Sequence, residues 1–469
     1  MNLVTPGRHR FRLGGFVVSV LLALPSAADL PMTGGDTTVH STGVNAFSLP
    51  AANLSFEQRL DFSVGNSFFR NPWIPAPATT TARDGLGPLF NTNACQSCHI
   101  KDGRGHLPES DADNAVSMLV RLSIPADDSV AEDWIARHGV IPEPTYGGQF
   151  QDASIPGTQP EGRVTIEFTD HKHHLLDGSE VMLRRPAPVF TQLSAGDMHP
   201  DTRVSVRLAP AMIGLGLLEA VAEEEVLAWA DPDDANGDGV SGRANRVWDV
   251  QSQSQALGRF GWKAGQPTLR QQNAAAFNGD LGLTSELFRS ENCSPRQPIC
   301  AQSVNGGDPE VRTELLDAVT FYSGHLAVPA QRNHDRPEVQ RGEALFSDTG
   351  CAACHRPTMT TGTLPDRPAL SNQTFHPFTD LLLHDMGPGL ADNRAEFVAS
   401  GTEWRTPPLW GIGLVPTVNG HQQLLHDGRA SSVFEAILWH DGEARASREA
   451  FETLSEEQRA ALIEFVNSL

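Results

Sequence analysis

Basic residues are scarce in this sequence of 469 residues. Lys and Arg number 35 against 57 Asp and Glu, which gives a net charge of -22 and an isoelectric point near 5.1. Because phosphate binding depends on clustered Lys and Arg, this balance argues against a nucleic-acid partner. A small, locally basic protein such as an electron donor stays compatible with it.

Long apolar runs are also missing, apart from one near the start. That run extends from about Gly14 to Leu24, follows three arginines and precedes Ser26-Ala27-Ala28. It is shorter than the roughly 20 residues that a membrane-spanning helix needs. We therefore expect residues 1–28 to be a cleaved signal peptide, with an uncleaved anchor as the alternative. The expected mature protein is exported, periplasmic and without stable membrane insertion.

Cysteine is sparse, with six residues in the chain. Cys293 and Cys300 form an isolated close pair, which in an exported protein favours a disulfide. The other four belong to two copies of Cys-x-x-Cys-His, at residues 95–99 and 351–355. These two identical motifs, far apart in the chain, need an explanation.

Three chemistries could use such motifs. A thioredoxin-like redox pair needs a βαβ pattern beside it, which neither copy has. A zinc site built from four cysteines leaves the His after each second Cys unexplained. Haem c explains every position, because the two thiols attach the haem and the adjacent His binds its iron. We therefore predict two covalently bound haem c groups, one at Cys95, Cys98 and His99 and the other at Cys351, Cys354 and His355.

The spacing of the motifs indicates two related halves. Residues 203–226 follow the first motif and residues 403–444 follow the second, and both segments have an Arg, a Pro-containing bend and an apolar stretch, as in an internal duplication. We expect a first cytochrome c-like haem domain with insertions at 29–330 and a second at 331–469. The predicted fold is mainly α, with long loops.

Two local patterns refine that expectation. In the first half, VSMLVRLSI and RVTIEFTD have the alternation or β-branching of strands, which predicts a small inserted β element. At the end of the chain, TLSEEQRAALIEFVNSL predicts a helix with Ser455 as its N-cap. The apolar face of this helix would pack over a haem edge and contains Leu462, Phe465, Val466 and Leu469.

Six stretches together resemble the bacterial di-haem cytochrome c peroxidase superfamily, and most closely its di-haem oxidoreductase branch, also labelled thiol oxidoreductases. They are CQSCHIKDGRGH, GRFGWKAGQPTLRQQ, CAACH, LLLHDMGPGLAD, WRTPPLWGIG and LHDGRASSVFEAILWHDGEA. The resemblance implies two haems bridged at a domain interface, with chemistry at one fed by electrons through the other. It leaves the substrate open, because the superfamily includes peroxidases, an enzyme that oxidises a precursor protein to mature a tryptophan-derived cofactor, and rubber oxygenases.

The resemblance also implies roles for residues of the first half. Peroxidases have a Trp between the haems, ten positions before a distal Gln, and Trp262 and Gln272 have this spacing. Trp262 therefore resembles the electron relay, although a plain core Trp is the alternative. Asp280 stands in for the distal Glu of the peroxidases, as a shorter carboxylate at a shifted spacing. Gln272 and Asp280 would assist cleavage of the O–O bond.

In the second half the chain departs from the peroxidase pattern. The position that matches the Met ligand of the electron-transfer haem is His440, which we predict to be the second axial ligand of the haem at His355. Replacing Met by His would lower the potential of that haem. Met386 is the second candidate, and packing near the haem without ligation is the alternative for both residues.

Other polar patterns carry weaker expectations. Asp234, Asn236 and Asp238 match the first half of an EF-hand-like loop, and a calcium site and a solvated turn are equal contenders there. The run DHKHH is expected to be a solvated loop, with a haem or metal ligand as the alternative for His171, His173 and His174. His106 is ambiguous in the same way.

These patterns favour a peroxidase-like oxidoreductase that reduces peroxide or another oxidant at the first haem and transfers electrons through the second. The expected partners are a small-molecule oxidant or a protein substrate, together with a redox-donor protein. The alternative is a di-haem electron-transfer protein without peroxide turnover. Thiol chemistry is disfavoured, because the haems would occupy the cysteines that it needs.

Overall fold

A computed structural model describes residues 1–2, 32–108, 116–126 and 132–469. The predicted signal peptide, apart from its first two residues, lies outside this part of the chain. Within the part that is described, no helix has the length and apolar character needed to cross a membrane.

Helices and strands are interspersed along the chain. The helices are α1 Phe56–Arg70, α2 Cys95–Cys98, α3 Glu132–His138, α4 Leu215–Glu219, α5 Glu223–Leu227, α6 Leu269–Leu281, α7 Pro298–Ala301, α8 Thr313–Gly324, α9 Pro337–Asp348, α10 Gly387–Leu390, α11 Val415–Asn419, α12 Val433–Leu438, α13 Arg445–Thr453 and α14 Glu456–Ser468. Short 3₁₀ turns occupy Gly35–Thr37, Ile100–Asp102, Cys351–Ala353, Pro368–Leu370, Ile412–Leu414 and Gly442–Ala444.

The strands form small antiparallel sheets of two strands each. They are β1 Leu89–Phe90, β2 Met118–Ser123, β3 Ala153–Ser154, β4 Arg163–His174, β5 Glu180–Thr191, β6 Arg203–Leu208, β7 Arg246–Asp249, β8 Ser254–Leu257, β9 Met359–Thr360, β10 Thr374–Phe375, β11 Leu383–Asp385 and β12 Glu403–Arg405. The pairs are β1–β3, β2–β6, β4–β5, β7–β8, β9–β10 and β11–β12. Helix accounts for 31% and strand for 19% of the structure, so the fold is mixed and the prediction of a mainly α protein was too narrow.

Two helix pairs have the same kind of crossing, one in each half. A Cβ added to Gly65 in α1 would lie 2.1 Å from the carbonyl oxygen of Ala318 in α8. A Cβ added to Gly342 in α9 would lie 2.0 Å from the carbonyl oxygen of Ala461 in α14. Glycine therefore allows the backbones to touch in both pairs, which is consistent with related halves.

The predicted C-terminal helix is confirmed as α14. The Ser455 side chain accepts a hydrogen bond from the backbone of Gln458, and the Gln458 side chain bonds back to Ser455 to complete a capping box. The apolar residues predicted on its inner face are buried: Leu462, Phe465, Val466 and Leu469. They pack with Phe346 of α9 in one hydrophobic core.

The predicted strands of the first half are also present, in β2 and β4. The β4–β5 hairpin extends beyond its own half, because Leu175 and Leu183 are buried with Trp439 and Phe451 of the second half. The Nε2 atom of His173 lies 2.9 Å from a carboxylate oxygen of Glu452. The insertion thus ties the two halves together.

The hairpin corrects the expectation for the histidine run. His171, His173 and His174 belong to β4 rather than to a loop. The exposed ring of His171 stacks on Trp439, with ring centroids 5.3 Å apart. The strand therefore directs this ring onto a buried aromatic of the second half.

Candidate functional site

The first Cys-x-x-Cys-His motif forms helix α2 and the residue after it. The Nδ1 atom of His99 lies 2.8 Å from the carbonyl oxygen of Pro210, to which it donates a hydrogen bond. Phe69 of α1 lies beside the ring, with centroids 6.2 Å apart. Burial lowers the pKa of His99 to about 4, so its neutral ring offers Nε2 as a ligand atom.

The second motif repeats this arrangement with different elements. The Nδ1 atom of His355 lies 2.9 Å from the carbonyl oxygen of Phe378, and Phe346 of α9 lies 6.3 Å from the His355 ring. Burial, and to a smaller extent a charge on His440, lowers the pKa of His355 to about 4. Both histidines therefore have Nδ1 bonded and Nε2 available.

One cavity of about 450 Å³ connects the two motifs. All residues of both motifs that were predicted to attach or ligate haem line it: Cys95, Cys98, His99, Cys351, Cys354 and His355. The predicted catalytic and axial residues line the same cavity: Trp262, Gln272, Asp280, Met386 and His440. The fold thus brings together eleven residues that the sequence distributes over more than three hundred positions.

The residues around this cavity fit two haem groups. Each end has a pair of thiols and a neutral imidazole, and much of the wall between them is apolar, with Leu269 and Phe277 from α6 and Leu462 and Val466 from α14. Burial, with a smaller contribution from the charge of Asp280, raises the pKa of the Cys95 thiol to about 12. A neutral thiol in such surroundings does not suit thiol-redox catalysis, which needs a thiolate.

Trp262 lies between the two repeated segments. Its indole Nε1 donates to the carbonyl oxygen of Leu208 at 2.9 Å, and its own carbonyl oxygen accepts from the backbone of Arg405 at 2.9 Å. Leu208 and Arg405 belong to the corresponding segments of the first and second halves. Trp262 is therefore held by both halves and lines the cavity that joins their motifs.

Gln272 and Asp280 project from one face of α6 into the cavity, but they lie about 12 Å apart along the helix axis. Gln149 donates to the Asp280 carboxylate at 3.0 Å. Burial raises the pKa of Asp280, against the lowering effect of the Arg121 charge and of this bond. This separation along the helix places the two side chains at different points of the cavity wall, and their catalytic roles stay predictions.

Both candidate axial ligands of the second haem reach the cavity. His440 follows α12 and its Nδ1 donates to the carbonyl oxygen of Ala436 at 2.7 Å, which leaves Nε2 available as in His99 and His355. Met386 lies at the N-terminus of α10 and lines the same cavity.

Sequence reasoning missed His384, which is buried at this site. Its Nδ1 lies 2.7 Å from Glu443 and 3.6 Å from the sulfur of Cys354, and its Nε2 lies 2.8 Å from Asp380. Burial lowers the pKa of His384, but the bonds to the two carboxylates outweigh this and raise it well above the usual value. The motif LLLHDMGPG contained this His, but only the fold shows its partners.

A second group that sequence reasoning missed surrounds Trp404, in the motif WRTPPLWGIG. The ring of His426 stacks on it at 3.7 Å, and the Nζ of the fully buried Lys263 lies 4.4 Å from its centroid. Lys263 also pairs with Asp392 at 3.0 Å. Trp404 and His426 line the cavity, so they form part of its wall.

The remaining predicted site residues lie outside the cavity. Asn236 and Asp238 each accept a hydrogen bond at 2.8 Å from the backbone N–H two residues on, as in Asx turns. Asp234 accepts at 3.1 Å from the backbone of Gly239, five residues on, and all three residues are exposed or half-buried. Such a turn forms with or without a bound ion, so the calcium site and the solvated turn both stay predictions. His106 lies beside His421, with ring centroids 5.5 Å apart.

The predicted disulfide is confirmed. Cys293 and Cys300, seven positions apart in the sequence, are bonded to each other. Cys300 lies in the short helix α7 and Cys293 precedes this helix. Both are far from the two haem motifs in the sequence.

Curated proteins and solved structures offer no informative relative of this chain. No curated protein matches the chain. A solved structure described as "Kuenenia stuttgartiensis Hydrazine Synthase Pressurized with 20 bar Xenon" is 16% identical, with a TM-score of 0.23. The match covers 39% of this chain and 65% of that chain, and a likeness of this size carries no argument.

A family comparison covers far more of the sequence. The sequence model of the family described as "Di-haem oxidoreductase, putative peroxidase" matches residues 28–469. This range contains both Cys-x-x-Cys-His motifs and every residue that lines the cavity. The chain therefore belongs to the di-haem oxidoreductase family.

Proposed function

We propose that this chain is an exported c-type di-haem oxidoreductase of the peroxidase kind. It would reduce peroxide or another oxidant at the first haem, held by Cys95, Cys98 and His99, with electrons supplied through the second. The observation that carries the proposal is the single cavity lined by both motifs and by Trp262. Haem would supply the iron that binds the oxidant and the one-electron chemistry.

Attachment follows from the pairs of thiols. In each half two cysteines and one histidine converge on the cavity, and the carbonyl that accepts from Nδ1 fixes the histidine tautomer. A fixed tautomer orients the ring and strengthens Nε2 as a ligand. The sulfur atoms of Cys95, Cys98, Cys351 and Cys354 would form the covalent bonds.

At the first site we assign different roles to the two residues of α6. The amide of Gln272 can donate a hydrogen bond to an oxidant in the cavity as charge develops on it. Asp280 lies beside the first motif, and its raised pKa allows the carboxyl group to hold a proton there. The bond from Gln149 keeps this carboxyl group in place.

At the second site, His440 would help to hold the haem as a second protein ligand of its iron, in addition to His355. A haem with both axial positions filled is suited to storing and passing electrons rather than to binding an oxidant. Trp262, which is bonded to both halves, would shorten each step of electron transfer between the haems.

Export and a redox partner belong to the same proposal. The Cys293–Cys300 disulfide is what an oxidising compartment permits. The electrons would come from a redox-donor protein, and the strongly acidic chain favours a partner with a basic surface.

The proposal is tested on protein produced with c-type haem maturation. We expect two haems per chain that survive acid-acetone extraction, a high-spin component in the EPR spectrum of the oxidised protein, and consumption of added hydrogen peroxide. Gln272→Ala should slow this consumption by about 100-fold, as the loss of a positioned donor does in other enzymes. Gln340→Ala, an exposed Gln in α9, is the matched control and should leave the rate unchanged.

A different outcome would decide against the enzyme. If the oxidised protein is entirely low-spin and its spectrum is indifferent to peroxide, the chain is a di-haem electron-transfer protein. Stoichiometric zinc without haem would contradict both functions.

A further inference from the structure

A second chamber of about 500 Å³ adjoins the cavity that joins the two motifs. The two spaces share four lining residues, which form a neck between them: Arg121, Gly265, Gln266 and Glu396. A Cβ added to Gly265 would lie 2.2 Å from the carboxylate of Glu396. Any larger residue at 265 would therefore displace that carboxylate from the neck.

The polar part of the chamber carries an excess of positive charge. Among the described residues, the guanidinium groups of Arg121, Arg137 and Arg394 line it against the single carboxylate of Glu396. That carboxylate is already paired outside the chamber lining, with Arg207 at 2.9 Å. Arg137 is also paired outside the lining, with the exposed Asp133 at 3.0 Å, so the positive charge in excess belongs to Arg121 and Arg394. This local excess of positive charge contrasts with the net charge of -22 of the whole chain.

Arg394 shows the imbalance most clearly. Its residue is only 4% exposed, and one of its terminal nitrogens lies 2.6 Å from Glu396. Its Nε has no hydrogen-bond partner within the described part of the chain. A buried guanidinium nitrogen without a partner is costly, and an anion in the chamber would satisfy it.

The other walls of the chamber are mixed, with His138, Gln266 and Gln271 beside six apolar or aromatic residues. These six are Val140, Trp248, Val250, Leu287, Phe288 and Phe397. They favour a ligand with an apolar body, whereas an inorganic anion would leave them facing water. The positive charge and the apolar residues of the chamber together fit an organic acid as the ligand.

From this geometry we infer that the second chamber binds a small organic carboxylate. Its head group would lie between Arg394 and Arg121, next to the neck, and its apolar body against Trp248, Phe288 and Phe397. The guanidinium of Arg137, 4.9 Å from the Trp248 ring centroid, would add its charge beside the bound ligand. The carboxylates of a haem in the main cavity do not account for the chamber, because Arg137 and Arg394 line only the chamber. The inference concerns binding and holds whether or not the first haem turns over peroxide.

Benzoate is a suitable probe, and its binding to the haem-loaded full chain can be measured by titration calorimetry. Benzyl alcohol has the same apolar body without the charge, and nitrate has the charge without the body. We expect benzoate to bind at least about tenfold more tightly than either, because a charge-assisted hydrogen bond and the burial of a ring each contribute about this factor. In the ferric protein, the benzoate proton signals should broaden as the iron relaxes them.

Two arginine variants locate the site. Arg394→Gln should weaken benzoate binding by about tenfold or more, through loss of the charge. Because Arg394 is a buried ion-pair partner, Arg137→Gln provides a second measurement at a side chain that is 47% exposed, and it should weaken binding severalfold without affecting folding. Arg341→Gln, at an exposed arginine of α9 that is 55% accessible, is the matched control and should bind like the wild type.

The inference is overturned if benzoate does not bind at millimolar concentration, or if benzyl alcohol or nitrate binds as tightly. It is also overturned if Arg137→Gln leaves benzoate binding unchanged. Benzoate binding of the expected kind in a protein that is indifferent to peroxide would support the chamber and contradict only the proposed peroxidase function.

Discussion

Three histidines of the cavity have the same hydrogen-bonding pattern, which leaves one ring nitrogen available to bind iron. In His99, His355 and His440, Nδ1 donates to a backbone carbonyl and Nε2 is left available. His384 lies near a haem-motif sulfur, yet both of its ring nitrogens face carboxylates, so it has no nitrogen free for iron. At the residue scale, hydrogen-bond partners therefore separate three candidate ligands from a neighbouring His that position alone would include.

This distinction predicts which side chain completes the second haem. His440→Ala should convert that haem from low-spin to high-spin without loss of covalent attachment, because its axial position opens. Met386→Ala, also at the cavity wall, should leave the spin state unchanged. Optical and EPR spectra of the oxidised variants provide the measurement. The opposite pattern would transfer the ligand role to Met386.

Elements of the two halves correspond in how their helices meet. The α1–α8 and α9–α14 pairs both cross at a glycine, and each pair contributes a Phe beside the His of a Cys-x-x-Cys-His motif. The close backbone contact sets where that Phe and the adjoining motif lie. At the scale of elements, the helix crossings are thus what position the haem motifs.

The crossing predicts a large effect of one methyl group. Gly342→Ala should destabilise the protein by about 1–3 kcal/mol or more, because the added Cβ overlaps the carbonyl of Ala461. Gly279→Ala in α6 is the matched control, since the nearest atom to its Cβ would be a Gln149 oxygen at 3.6 Å. This control should be neutral or gain about 0.5–1 kcal/mol from helix propensity. Urea unfolding of both variants checks the difference, and equal effects would contradict a tight crossing.

At the scale of the whole molecule, shared hydrophobic cores join the two halves in addition to the covalent chain. Ile213 and Leu217 of the first half share a core with Trp410 and Leu414 of the second, and the β4–β5 hairpin packs on the second half. Trp262 is bonded to both halves at the cavity. Changes at one haem should therefore reach the other along a fixed structural route.

Trp262→Phe tests this route. The change keeps an aromatic ring but removes the bond to Leu208, which should cost about 1–3 kcal/mol of stability because a buried carbonyl loses its donor. Electron transfer between the haems, followed by rapid mixing with a reductant, should slow by a larger factor than in Trp73→Phe. Trp73 is as deeply buried but does not line the cavity. Equal rates in the two variants would contradict a relay at Trp262.

Local patterns in the sequence were sufficient to predict part of the fold and part of the candidate site. The disulfide, the Ser455 cap and the two haem motifs each lie within a few residues, so short-range geometry dictates them. The Trp262 and Gln272 pair was found through a resemblance in spacing, and both residues line the cavity. The mixed content of helix and strand was missed, because short strands with distant partners carry little periodic signal.

What the sequence by itself determined is therefore the chemistry of the chain: two thiol pairs with adjacent histidines, in an acidic protein with few other cysteines. Tertiary structure alone decided how these groups meet. It brought the carboxylate of Glu443 to His384, and it formed the second chamber where Arg121 and Arg394 come together. These contacts join residues from distant parts of the chain, and they arise from packing of the whole core, for which no local pattern exists.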